Sequence, residues 1–137
     1  VNEWIQKMKE ADSIILGSPV HFAAMAGNMK SFLDRAFYVG GVNGSLYRHK
    51  VGASVVAVRR SGGLPTFNEL NNFLNYSEMM IPTSNYWNVI HGTTPGEVLQ
   101  DEEGVQNMAY LMKLVQHGHN IVAPPPKARK IYTNFIR

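Results

Sequence analysis

The run Ser13-Ile14-Ile15-Leu16-Gly17, closed by Ser18-Pro19, constrains the fold more than any other stretch of this chain. It is continuously apolar and too short for a buried helix, the pattern of a strand covered on both faces of a parallel sheet. Parallel strands need crossover connections, and both flanks show helical spacing. Trp4, Ile5, Met8 and Ala11 precede the run, with Asn2 placed to cap the first turn. Met29, Phe32, Leu33, Ala36 and Phe37 follow it between Gly27 and Tyr38, with Gly40-Gly41 as a stop signal. Val51 to Val58 reads as a second buried strand, and Pro65 to Met79 as a helix turning Phe67, Leu70, Phe73 and Leu74 inward. Met80 to Ser84 reads as a third, short strand at an edge, because Pro82 has no amide to donate. After a long loop, Asp101 is placed to cap a helix carrying Val105, Met108, Leu111, Met112 and Val115, with Gly118 ending it.

This alternation predicts an α/β fold: an open parallel sheet with helices on both faces. Three strands are few, and they leave Ile14-Ile15-Leu16 with an unpaired flank, so strands belonging before Val1 are expected to be missing from the chain. Residues 1–119 form the domain. Residues 120–137 hold Pro124-Pro125-Pro126 and then Ile131, Tyr132, Phe135 and Ile136 among basic side chains. They read as an extended arm that docks on the domain or on a partner subunit.

Composition removes several classes of function. Without cysteine there is no disulfide framework, thiolate metal site or thiolate nucleophile in this chain. The net charge of +3 is local, since Lys127, Arg129, Lys130 and Arg137 exceed it on their own. The rest lacks the basic footprint of a nucleic-acid binder, and nucleic acid is not an expected partner. No apolar run is long enough for a membrane span and the start is not a signal peptide, so the expected location is the cytoplasm. His117 and His119 do not share a helical face and have no carboxylate at ligand spacing, so no metal is expected. Ser18 has no Gly-x-Ser-x-Gly elbow around it, which sets hydrolase chemistry aside.

In an open parallel sheet, ligands bind outside the carboxyl ends of the strands. The loops expected there carry Pro19, Val20, His21 and Phe22; Arg59, Arg60, Ser61, Gly62 and Gly63; and Tyr86, Trp87 and His91. Aromatic faces, exposed amides and cations together suit a flat heteroaromatic ligand with a polar rim. Taken singly, Gly62-Gly63 also reads as a turn, Pro19 as a strand terminator and Tyr86-Trp87 as ordinary packing.

The stretch from Ala11-Asp12-Ser13-Ile14-Ile15-Leu16-Gly17-Ser18-Pro19-Val20-His21-Phe22 through Ala26-Gly27-Asn28-Met29-Lys30-Ser31-Phe32-Leu33-Asp34-Arg35 closely resembles the NADPH-dependent FMN reductase family of flavodoxin-like proteins, including quinone reductases and iron-sulfur flavoproteins. The resemblance continues through Lys50-Val51-Gly52-Ala53, Ser61-Gly62-Gly63, Tyr86-Trp87, Pro95-Gly96-Glu97-Val98 and Thr133-Asn134-Phe135-Ile136-Arg137. It implies that residues 1–119 are the C-terminal part of a flavodoxin-like FMN-binding domain. The FMN ring would lie against Pro19, Val20, His21 and Phe22 and against Arg60, Ser61, Gly62 and Gly63. Tyr86, Trp87 and His91 would shape the acceptor pocket. NAD(P)H would be the donor, a quinone or similar small molecule the acceptor, and a homodimer or homotetramer the assembly. The flavin carries the chemistry, so no side chain is singled out as catalytic. The family's first strand and its Ser/Thr-rich phosphate loop have no counterpart in this sequence. Two readings follow: an FMN-dependent NAD(P)H oxidoreductase, or a truncated or cofactor-free domain acting through oligomer or partner contacts. Retention of FMN separates them.

Overall fold

A computed structural model describes residues 1–118, so His119 and the arm expected over 120–137 lie outside the described residues. In chain order the elements are α1 (Asn2–Glu10), β1 (Ser13–His21), β2 (Ala24–Met25), α2 (Gly27–Val42), β3 (Val51–Val58), α3 (Gly63–Tyr76), β4 (Val89–His91), a 3-10 turn (Glu97–Gln100) and α4 (Glu102–Gly118). They form a four-stranded sheet in the order β2-β1-β3-β4. β1, β3 and β4 run parallel, and β2 folds back antiparallel on the end of β1. The sheet is open and has helices on both faces, the architecture that the alternation of apolar patterns predicts.

On one face Ile14, Leu16 and Val56 pack with Ile5 and Met8 of α1, Leu33, Ala36 and Phe37 of α2, and Leu70 and Leu74 of α3. On the other face Leu111 and Val115 of α4 cover Val51 and Ala53. That helix lies over β3 and leaves Ile15 of β1 41% exposed. Burial along β1 therefore alternates, so β1 is not the strand buried on both faces that its apolar run predicts, whereas β3 is buried at nearly every position as expected. Register is fixed by pairs running from Ser13↔Val51 to Pro19↔Ala57. Lys50 Nζ donates to the carbonyls of Lys9 and Ala11, tying the end of α1 to the start of β3. No helix among the described residues is long and apolar enough to cross a membrane.

Several local expectations are corrected. Met80–Ser84 is not a strand: only Met80 bridges to Val51, its N–H donating to Lys50 O and its carbonyl accepting from Gly52 N–H. Pro82 cannot extend that pairing. The chain leaves the edge of β3 and returns as β4, where Val56 N–H donates to Asn88 O and Gly92 N–H to Val58 O. α2 runs through Gly40-Gly41 to Val42, because Gly40 serves packing: a Cβ there would lie 2.5 Å from the Tyr47 ring, whose hydroxyl donates to Ala36 O. Asn2 lies inside α1 and Val1 takes the cap position. Pro65 sits in the first turn of α3, where its missing N–H costs nothing.

Candidate functional site at the carboxyl ends of the strands

β1 continues past Pro19 into a hairpin. His21 pairs with Ala24 and Val20 with Met25, leaving Phe22 and Ala23 as a two-residue turn. Both have positive φ, 52° and 61°, as the tightest hairpin turns require, although glycine or asparagine usually fills such positions. Each such L residue costs about 1–2 kcal/mol. Two side chains hold the turn in place. Ser18 Oγ accepts the Ala26 N–H at 3.0 Å while donating to Pro19 O, and Glu69 of α3 accepts the Met25 N–H at 2.9 Å. The braced turn leaves the Phe22 side chain fully in solvent.

Gly62 joins this hairpin to the loop after β3. Its φ is +87°, and a Cβ there would stand 2.9 Å from Ala23 Cα and 3.1 Å from Val20 Cγ1. Gly63 begins α3 against β4, with room for no Cβ beside Val89. No side chain caps α3, and Pro65 has no N–H, so the amides of Gly63 and Leu64 face outward from a positive helix end.

Beyond Gly62 opens a cleft of about 320 Å³ bounded by the ends of β3 and β4 and the first turns of α3 and α4. Arg60, Ser61, Gly62, Gly63, Tyr86, Trp87 and His91 line it together with Asp101, Glu103 and Asn107. Tyr86 and Trp87 are half-exposed, with ring centroids 4.9 Å apart at 55°. Asp101 Oδ1 accepts the Gly104 N–H at 2.9 Å, the cap expected for α4. Its Oδ2 accepts the His91 backbone N–H at 2.7 Å and lies 3.2 Å from His91 Nδ1. The Gly104 and His91 amides, with a smaller contribution from the His91 ring, hold the Asp101 carboxyl below its ordinary range. Glu97 is lowered likewise by the amides of Thr94 and Thr93 and by the Thr94 hydroxyl.

Of the residues expected at the site, the cleft thus gathers Arg60 through Gly63 with Tyr86, Trp87 and His91. Pro19, Val20, His21 and Phe22 are not in its wall; of these, Val20 stands beside Gly62. Glu103 and Asn107 were not expected there, and Asp101 was expected only as a cap. Their signal is the first turn of α4, whose return to the sheet edge is a tertiary fact.

An open, mainly parallel sheet with aromatic and basic loops at its carboxyl edge is the architecture that flavodoxin-like proteins share with other ligand-binding α/β folds. Residues 1–94 match the NADPH-dependent FMN reductase family, and the chain belongs to it. It is 36% identical over 122 residues to an iron-sulfur flavoprotein of Methanocaldococcus jannaschii, covering 84% of this chain and 62% of that protein's length. Its fold is similar to that of a WrbA-like flavodoxin from Agrobacterium tumefaciens, with a TM-score of 0.69, 14% identity, and 87% of this chain and 73% of that one covered. It is also similar to that of an NADPH-quinone reductase from P. pentosaceus, with a TM-score of 0.56, 18% identity, and 88% and 75% covered.

Proposed function

We propose that the chain acts as an FMN-dependent NAD(P)H oxidoreductase that passes electrons to a quinone or similar small acceptor. The observation that carries this reading is the contact at Gly62, where the strained hairpin and the uncapped start of α3 meet beside an aromatic cleft. These residues fit a flavin ring: no side chain caps the start of α3, and the cleft beside it is lined by apolar, aromatic and cationic side chains together with the acidic Asp101 and Glu103.

When bound, the flavin supplies the hydride and electron transfer. Pro19, Val20, His21 and Phe22 would hold one side of the ring, and Arg60, Ser61, Gly62 and Gly63 its polar rim. The Gly63 and Leu64 amides and the Arg60 guanidinium favour negative charge on that rim. Tyr86, Trp87 and His91 would wall the acceptor space and exclude water. The Thr93 and Thr94 amides are taken by Glu97, so this Thr pair offers no cradle for the FMN phosphate. Assembly as a homodimer or homotetramer in the cytoplasm belongs to the same reading, and sedimentation velocity tests the assembly.

The deciding experiment is a visible spectrum of the purified, folded chain after incubation with FMN and desalting. Flavin retained near one per chain and bleached by NAD(P)H supports the proposal. A folded, colourless protein overturns it in favour of a domain that acts through partner contacts.

A further inference from the structure

His91 ends β4 with its side chain on the cleft wall, 56% exposed, and Asp101 is its ring's partner among the described residues. A carboxylate can only accept hydrogen bonds, so Asp101 Oδ2 selects the ring form that carries hydrogen on Nδ1. The carboxylate is itself fixed: Oδ1 is held by the Gly104 N–H at the start of α4 and Oδ2 by the His91 backbone N–H. Nε2 has no protein partner among the described residues. The other charged groups on the cleft wall are Arg60 and Glu103.

We propose that His91 Nε2 delivers the proton that a quinone takes up in this cleft, and that Asp101 is the positioning residue that keeps this nitrogen available. The inference rests on the oxidoreductase reading above. Conversion of a quinone to a hydroquinone consumes one hydride and one proton. The hydride comes from reduced flavin, which is oxidised as the quinone is reduced. The proton leaves Nε2 of the imidazolium as an O–H bond forms on the quinone oxygen. Because Asp101 retains the hydrogen on Nδ1, the neutral ring left behind has its lone pair on Nε2, where solvent restores the proton.

Two measurements on the full chain test this. Long-range proton–nitrogen correlation spectra of the labelled protein report the His91 tautomer without any flavin. The Nδ1–H form is expected in the unsubstituted chain, with a shift toward Nε2–H, the form free imidazole side chains prefer, in Asp101→Asn. Asparagine keeps the cap on α4, since it serves helix starts as well as aspartate does. With FMN loaded, His91→Gln and Asp101→Asn should each slow menadione turnover on the order of 10²-fold, the usual scale for a positioned acid. Ferricyanide takes up an electron and no proton, and its turnover should fall far less. His91→Gln changes a half-exposed side chain and carries the acceptor comparison even if the Asp101 variant fails to fold. An Nε2–H tautomer in the unsubstituted chain, or equal losses on both acceptors, overturns the inference. Failure to retain FMN overturns instead the oxidoreductase reading beneath it, and the flavin-independent tautomer measurement keeps the two failures distinct.

Discussion

At Gly62 one missing methyl group decides whether two loops can touch. A Cβ there meets Ala23 Cα at 2.9 Å, on a backbone already at φ +87°. Gly62→Ala is therefore expected to cost about 1–3 kcal/mol in urea unfolding and to push the hairpin off the loop after β3. A stability loss well below that range would show that the hairpin yields freely. Two carboxylates govern the loop between β4 and α4 in a comparable way. Asp101 and Glu97 are both lowered in the folded protein, from ordinary values of 3.8 and 4.5. Groups lowered on folding contribute stability above their unfolded values and lose it as the pH falls through the folded ones. Acid titration below about pH 4 should thus loosen residues 92–101 ahead of the core. Trp87 emission, followed in a Trp4→Phe background, should change before far-ultraviolet circular dichroism does, and coincident transitions would refute the order.

At the scale of elements, the β1–β2 hairpin spends conformational energy to present a solvent-exposed aromatic ring. Replacing Phe22-Ala23 with Asn-Gly supplies residues suited to positive φ and should raise stability by about 1–2 kcal/mol. The same change should weaken flavin retention, because it removes the Phe22 face. Higher stability with undiminished retention would detach Phe22 from the site. The sequence made the main strands and helices legible because Ile14 to Leu16 and Val51 to Val58 are short apolar runs and the spacing from Val105 to Val115 is helical. It concealed β4, because Val89–His91 is too short to show a period and Met80-Ile81 is a more conspicuous apolar pair. Gly40-Gly41 misled for a different reason: the partner that requires Gly40 is Tyr47, which lies beyond the helix. At the site, the glycine turn and aromatic pair are local signals, whereas the reach of Asp101 back to His91 exists only once α4 has docked.

Across the whole molecule, packing is unequal between the faces of the sheet. Among the described residues, three helices share the larger core on one face, and a single helix covers part of the other. The cleft lies where β4 meets that single helix, on an edge interrupted between Met80 and Val89. Only Val89, Ile90 and His91 rejoin the ladder there. Amide exchange at Ile90 and Gly92 should therefore proceed through a local opening that leaves the β1–β3 ladder protected, detectable as lower protection factors than at Leu16. Uniform protection would mean that the edge opens only with global unfolding. On that expectation, the interrupted edge lets the cleft open locally while the core stays folded.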